Sequence, residues 1–404
     1  MSKWTLTVAG VSLLFAMTAS RIVVTQGFSE APAGFNNSTN GMLSQADFDA
    51  VRETFEERDS VADGLGPVYN AQSCAECHQS PVTGGVSQVD EMRAGRLDGF
   101  GRFVDHPGGS LIHSRATDAA IQEHVKNGYD IVTLRSSINT LGDGYVEAVS
   151  DATLLAIAAN QASSTGGVIA GQAIMVPVAE AAPGVTRVGR FGWKGQQASL
   201  LSFSADAYLN EMGITSALQM TENSSNGSSI ADYDPTPEPE DHDDDIRQFA
   251  SFMRSTMAPP RDAGIAATAD AQRGRQVFSD IGCNICHVTS LTTLPAGTPI
   301  NGGKFVIPQA LGSKTFHPFG DFLLHDIGTG DGIVQNGGQR TANKMRTAPL
   351  WGVRTHDRFL HDGRAVSIRD AILYHGGEAQ GTRSAFKNLS ADDRNALLTF
   401  LSSL

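Results

Sequence analysis

Cysteine is scarce in this chain, with four residues in 404. All four sit in two copies of one motif, Cys74-Ala75-Glu76-Cys77-His78 and Cys283-Asn284-Ile285-Cys286-His287. No thiol is left for a structural disulfide, so the fold must rest on its core and on whatever the motifs hold. Positive charge is also short: 30 Lys and Arg stand against 43 Asp and Glu, a net charge of −13. That balance excludes nucleic acid and anionic membrane surfaces as partners and admits a basic protein partner. Long apolar runs are missing apart from Trp4 to Met17, which is too short to span a bilayer comfortably. Lys3 precedes that run and Thr18-Ala19-Ser20 follows it, the layout of a secretory signal over residues 1–20. An uncleaved signal anchor is the alternative.

Cys-x-x-Cys-His is the pattern of covalent c-type haem attachment: two sulfurs bond the vinyl groups and the next residue offers an imidazole to the iron. The competing readings are a zinc site or a reactive dithiol. Zinc would need further ligands near each pair, and the sequence shows no such set. Two haem c groups are therefore expected, held by Cys74, Cys77 and His78 and by Cys283, Cys286 and His287. Haem c is attached outside the cytoplasm, so a periplasmic or secreted protein fits both the motifs and the leader. No membrane span is expected in the mature chain.

The expected fold is mainly α, with two cytochrome c-like haem domains, long loops and a few short strands. The domains are placed at 41–222 and 271–404. An acidic, Pro-rich linker and a connecting helix fill 223–270. Ser44 and Asp47 read as an N-cap pair for a helix carrying Phe48, Val51 and Phe55. Further helices are expected at Asp151 to Asn160, after Asp245 with Ile246, Phe249, Phe252 and Met253 on one face, before Cys283, and from Ser390 to the end. A hairpin is expected within residues 84–141 and a strand from Ile169 to Val178. Residues 223–245 are read as a solvated linker. Their acidic cluster Glu240, Asp241, Asp243, Asp244 and Asp245 could bind calcium, but a solvated stretch is the favoured reading.

Each iron needs a sixth ligand or a deliberate vacancy, and the distal residues decide between electron transfer and chemistry. For the second motif the best candidate is His375. It ends a short helix capped by Ser367 with Asp370 and is followed by Gly376-Gly377. His361 and His325 compete. For the first motif, His106, His113 and His124 are the nearest histidines and read as surface or structural residues. Glu147, in the apolar run Gly144-Tyr145-Val146-Glu147-Ala148-Val149, would be desolvated and its pKa raised, unless it simply begins an exposed helix.

The segment from Arg346-Thr347-Ala348-Pro349-Leu350-Trp351-Gly352-Val353-Arg354 to Phe359-Leu360-His361-Asp362-Gly363-Arg364 resembles the second-haem region of bacterial di-haem cytochrome c peroxidases. There a distal methionine, or a tyrosine in the relative that matures a tryptophan-derived quinone, lies one short helix beyond the His-x-Gly element. The resemblance puts His375 at that place. Gly189-Arg190-Phe191-Gly192-Trp193-Lys194, Asn210-Glu211-Met212-Gly213-Ile214-Thr215, Leu324-His325-Asp326-Ile327-Gly328 and His375-Gly376-Gly377-Glu378-Ala379 together resemble the di-haem oxidoreductase family over nearly the whole mature chain. That resemblance implies reduction of hydrogen peroxide with electrons from a small redox protein, Glu147 as distal acid–base and Trp193 or Trp351 as an electron relay. Calcium, which many members hold in a loop before the Arg-Phe-Gly-Trp motif, is not expected at Ser163-Ser164-Thr165-Gly166-Gly167-Val168, where carboxylates are lacking. The alternatives are a non-enzymatic electron carrier with both irons six-coordinate, and an oxidase of an organic or protein substrate.

Overall fold

Helices in this chain begin where a hydroxyl or carboxylate can take up free backbone N–H groups. The computed structural model describes Met1, residues 27–242 and residues 244–404. The leader and Asp243 lie outside the described residues. Ser44 caps the Gln45–Glu56 helix by accepting from the Asp47 N–H at 3.1 Å, and its hydroxyl donates to the Asp47 carboxylate at 2.7 Å. Phe48 and Phe55 on that helix are buried. Ser150 caps Asp151–Ser164, Thr268 caps Ala269–Asp280, Ser367 caps Ile368–Tyr374 and Ser390 caps Ala391–Leu401.

The Asp245–Ser255 helix buries Ile246, Phe249, Phe252 and Met253, the face that the sequence spacing predicts. Phe55 meets Phe252 at 4.6 Å and Phe249 at 6.1 Å between ring centres, and Phe249 meets Tyr208 edge-on at 5.0 Å. This aromatic layer anchors the principal core, which also takes in Leu291, Phe316, Phe322 and Trp351 from the second half of the chain. Tyr145 and Trp351 both pack on Phe316, at 5.9 and 5.7 Å. The two halves of the sequence thus share one core.

A second core is local to the C-terminal segment. The Ala269–Asp280 and Ala391–Leu401 helices cross there, with Val277, Phe278, Leu397 and Phe400 between them. Gly274 sits at the crossing. A Cβ on it would stand 2.0 Å from the Ala396 carbonyl oxygen and 2.8 Å from the Phe400 Cβ, so only glycine allows this approach.

The strands are short. The longest, Asp90–Leu97, pairs antiparallel with Ile131–Ser136 and also with Leu111–Ile112 and Phe103–Val104. The hairpin expected in residues 84–141 is therefore a small four-stranded sheet. The strand expected from Ile169 to Val178 shrinks to Met175–Pro177, because Ile169 to Ile174 form a connection over the Gln161 side chain rather than a ladder. Residues 223–245 are not a solvated linker. Ile230 packs with Val68 and Ile121, and Ser225 and Glu240 are buried. One apolar residue and a few satisfied polar ones are enough to lay this polar strap on the body.

Gly274→Val should separate the crossed helices and cost about 3 kcal/mol. Guanidinium denaturation read in the C-terminal aromatic signal checks this; an unchanged midpoint would contradict the crossing.

Candidate haem sites

Both Cys-x-x-Cys-His motifs fold as one helical turn. In the first, Ser73 caps Cys74–Cys77 and the His78 N–H donates to the Cys74 carbonyl at 3.0 Å. In the second, the His287 N–H donates to the Cys283 carbonyl at 3.0 Å. Each turn places its two sulfurs and its imidazole on one side. The four thiols are unpaired, and burial pushes all of them up, Cys77 and Cys283 to about 12. They are neutral thiols, which a reactive dithiol could not be.

A cavity of about 640 Å³ opens beside the second motif, lined by Cys283, Cys286, His287 and His375. His287 Nδ1 faces the Phe319 carbonyl at 2.9 Å and His375 Nδ1 faces the Ala371 carbonyl at 2.7 Å. A carbonyl only accepts, so both Nδ1 atoms carry hydrogen and both Nε2 atoms are left as bases. Burial, and for His287 also the nearby His375, lowers both pKa values, His287 to about 4, so the rings are neutral. Their ring centres are 6.5 Å apart. A metal–imidazole bond of about 2 Å and a ring nitrogen about 1 Å from its ring centre put two axial imidazoles roughly 6–6.5 Å apart. The cavity, the sulfurs and this spacing fit a haem held from both faces.

His325 lines the same cavity but is a different kind of group. Its Nε2 lies 2.9 Å from Asp321 and its Nδ1 2.8 Å from Glu378. Burial opposes charge on the ring, but the two carboxylates outweigh it and push its pKa up to about 12. Cys286, Asp321 and His325 do offer donor atoms within 4.8 Å of one another, a set that the sequence did not reveal. An imidazolium with both nitrogens occupied is no metal ligand, and this removes His325 both as a haem ligand and as a zinc donor. His361 is buried against the cavity, edge-on to Trp193 at 6.1 Å.

At the first motif, His78 Nδ1 faces the Gly85 carbonyl at 3.2 Å, which again leaves Nε2 as the base, and burial lowers its pKa. His113 is structural, with Glu123 at 2.8 Å on one nitrogen and the Asn210 carbonyl at 3.0 Å on the other. His106 stacks on Tyr129, and His124 is exposed.

Glu147 departs from expectation. It is fully buried, and Gly144 lets its short helix lie against the end of the Asp245–Ser255 helix. Arg254 donates to both its oxygens at 2.7 and 2.8 Å, and the Leu200 N–H and Asn301 add bonds of 2.9 Å each. Burial works to raise its pKa, but Arg254 and the other donors win, and the net shift is downward. Its charge is matched by Arg254, so its place in this structure is that of a structural carboxylate.

Among the carboxylates with a raised pKa, the one packed on the approach to the first motif from a quoted motif is Glu211, of Asn210-Glu211-Met212-Gly213, to which the sequence reading gave no role. Its carbonyl accepts from the N–H groups of Asn70 and Ala71, just before Cys74, and its side chain accepts from Asn70 Nδ2 at 2.8 Å. Burial and then the neighbouring Glu91 raise it, while Arg93 helps to hold Glu91 below the usual range despite burial. The pair thus favours a proton on Glu211 over Glu91. A glutamate with Leu209 and Met212 close by, in a quoted motif, was the available signal.

Trp193 lines the cavity of the second motif, and its indole N–H donates to the Ser136 carbonyl at 2.8 Å. Arg346 holds the turn by donating to the Gly192 and Trp193 carbonyls, and Lys194 pairs with Asp331 at 2.9 Å. Gln79 and Ser80, which follow His78, line the same cavity. Trp351 instead packs in the principal core.

Glu147→Gln should strand the buried Arg254 charge and destabilise the fold by about 3–5 kcal/mol. Urea denaturation measures this; a loss below about 1 kcal/mol would show that the pair is not structural.

The profile of the family described as "Di-haem oxidoreductase, putative peroxidase" matches residues 105–404. No curated protein matches the chain in sequence. Similar solved structures include a MauG-like protein associated with microbial copper homeostasis, at 14% identity and TM-score 0.42, covering 96% of this chain and 95% of that one. A variant of the diheme peroxidase BthA from Burkholderia thailandensis has 14% identity and TM-score 0.42, covering 94% and 92%. A hydrazine synthase from Kuenenia stuttgartiensis has 15% identity and TM-score 0.37, covering 98% and 100%. The matched family span contains the second motif, the Trp193 turn and Glu211, and this chain belongs to the di-haem oxidoreductase family.

Proposed function

We propose that this oxidoreductase is an exported di-haem c-type enzyme, periplasmic or secreted, that reduces hydrogen peroxide with electrons from a small redox protein. In this reading residues 41–222 and 271–404 each carry one haem in a cytochrome c-like domain, and 223–270 connect them. The haems are thioether-linked at Cys74 and Cys77 and at Cys283 and Cys286. The observation that carries it is the pairing of His287 with His375 at 6.5 Å around a cavity that also receives two sulfurs. Two neutral imidazoles suit an electron-transfer centre of low potential, since no thioether sulfur is present to raise it. No helix among the described residues is long and apolar enough to cross a membrane.

Bound haem supplies the redox chemistry, and the protein supplies position and protons. His78 would hold the iron of the first haem through Nε2. Glu211, whose carbonyl and side chain hold the Asn70-Ala71 segment that leads into Cys74, would accept a proton from one peroxide oxygen and return it to the other. Burial and then the charge of Glu91 raise its pKa. Trp193 lines the second cavity together with Ser136 to Ile138, whose Ile138 backbone hydrogen-bonds the His78 ring, and so is placed to relay electrons. Overall, two electrons and two protons convert peroxide to two waters.

Electron paramagnetic resonance of the ferric protein should show one low-spin signal from the second site and one high-spin signal from the first. His375→Ala should convert the low-spin signal to high-spin. Two low-spin signals in the parent protein would make it a carrier instead.

Glu211→Gln should lower kcat/KM for peroxide by about 10²–10⁴ while both haems stay attached. In the parent, kcat/KM should rise with pH as the Glu211 carboxylate forms, above the ordinary carboxylate range, and the variant should lose that ionisation. A flat profile in both would remove Glu211 from the reaction.

A further inference from the structure

The segment at residues 215–240, which includes most of the polar strap, converges on an acidic cluster that shares no residue with either motif. Glu222, Asp234, Glu238 and Glu240 each bring an oxygen to within 4.8 Å of the others. Among the described residues no Lys, Arg or His forms an ion pair with any of the four. Glu240 is only 5% exposed. Its Oε2 accepts from the N–H and hydroxyl of Thr215, both at 2.6 Å, but its Oε1 is buried with no donor. The buried Oε2 of Glu222 has no donor either. Burial and the mutual repulsion of these groups raise Glu222 to about 8 and Glu240 to about 7. Two orphaned carboxylate oxygens inside a four-carboxylate cluster mark a place that lacks its counter-charge.

We propose that Glu222, Asp234, Glu238 and Glu240 bind one calcium ion. The donors are all hard oxygens, with no nitrogen or sulfur to favour zinc. Oxygens on opposite sides of a calcium ion are roughly 4.6–5.2 Å apart, twice the Ca–O distance, and the cluster fits within that span. Glu240 alone is shared with the Glu240 to Asp245 run that the sequence singles out, and none of the four belongs to the Ser163 loop. The ion would draw together the two ends of the 222–240 segment, beside the loop that leads to the first motif. Gly64 in that loop, at φ +100, approaches Glu240 so closely that a Cβ would stand 2.7 Å from the Glu240 Cβ.

The test uses the full haem-loaded chain, stripped with a chelator and titrated with CaCl2 by isothermal calorimetry. One ion per chain should bind, and the thermal midpoint should rise. Glu238→Gln, an exposed position, should weaken binding more than about tenfold without altering the haem spectrum; Glu222→Gln should do the same. The absence of saturable binding to the stripped parent, or binding unchanged in both variants, would overturn the proposal. Neither result depends on peroxide turnover.

Discussion

A carbonyl oxygen beside an imidazole decides whether that histidine can hold iron. The Gly85, Phe319 and Ala371 carbonyls each take the Nδ1 hydrogen of one ring, and so leave Nε2 of His78, His287 and His375 as a base able to bind a metal. Where both nitrogens are taken, as in His113 and His325, the ring becomes part of the scaffold. The fold serves these contacts. The helix crossing at Gly274 sets the helix that leads into Cys283, and the Ser367 cap sets the short helix that ends at His375.

Two buried glutamates show how environment divides one residue type into two roles. Glu147 meets a guanidinium and two further donors, which hold its pKa down. Glu211 meets another carboxylate and keeps a proton. Burial raises both; the sign of the nearest charge decides the outcome. The same logic makes the acidic strap notable, since its carboxylates face one another with no cation among the described residues to offset them.

The two Cys-x-x-Cys-His turns, the helix caps and the place of His375 at the end of its helix were legible in the sequence because each is a local pattern: a fixed spacing, a Ser three residues before an Asp, a histidine before two glycines. The aromatic face of the Asp245–Ser255 helix was legible for the same reason. Glu147 misled because an apolar neighbourhood in sequence gives burial but not the partner, and Arg254 lies 107 residues away. Glu211 and Glu91 are likewise joined only by the fold. The strap at 223–245 read as solvated because its composition is polar, yet a single Ile230 and a few satisfied polar groups suffice to seat it.

The central claim is that two haems are thioether-linked to this polypeptide at the two motifs. Mass spectrometry of the denatured, purified protein tests it most directly. The account predicts a chain heavier by two haem groups that resist acid–acetone extraction, each attachment abolished by replacing its cysteine pair with serine. A chain of unmodified mass, or haem released intact by extraction, would contradict it.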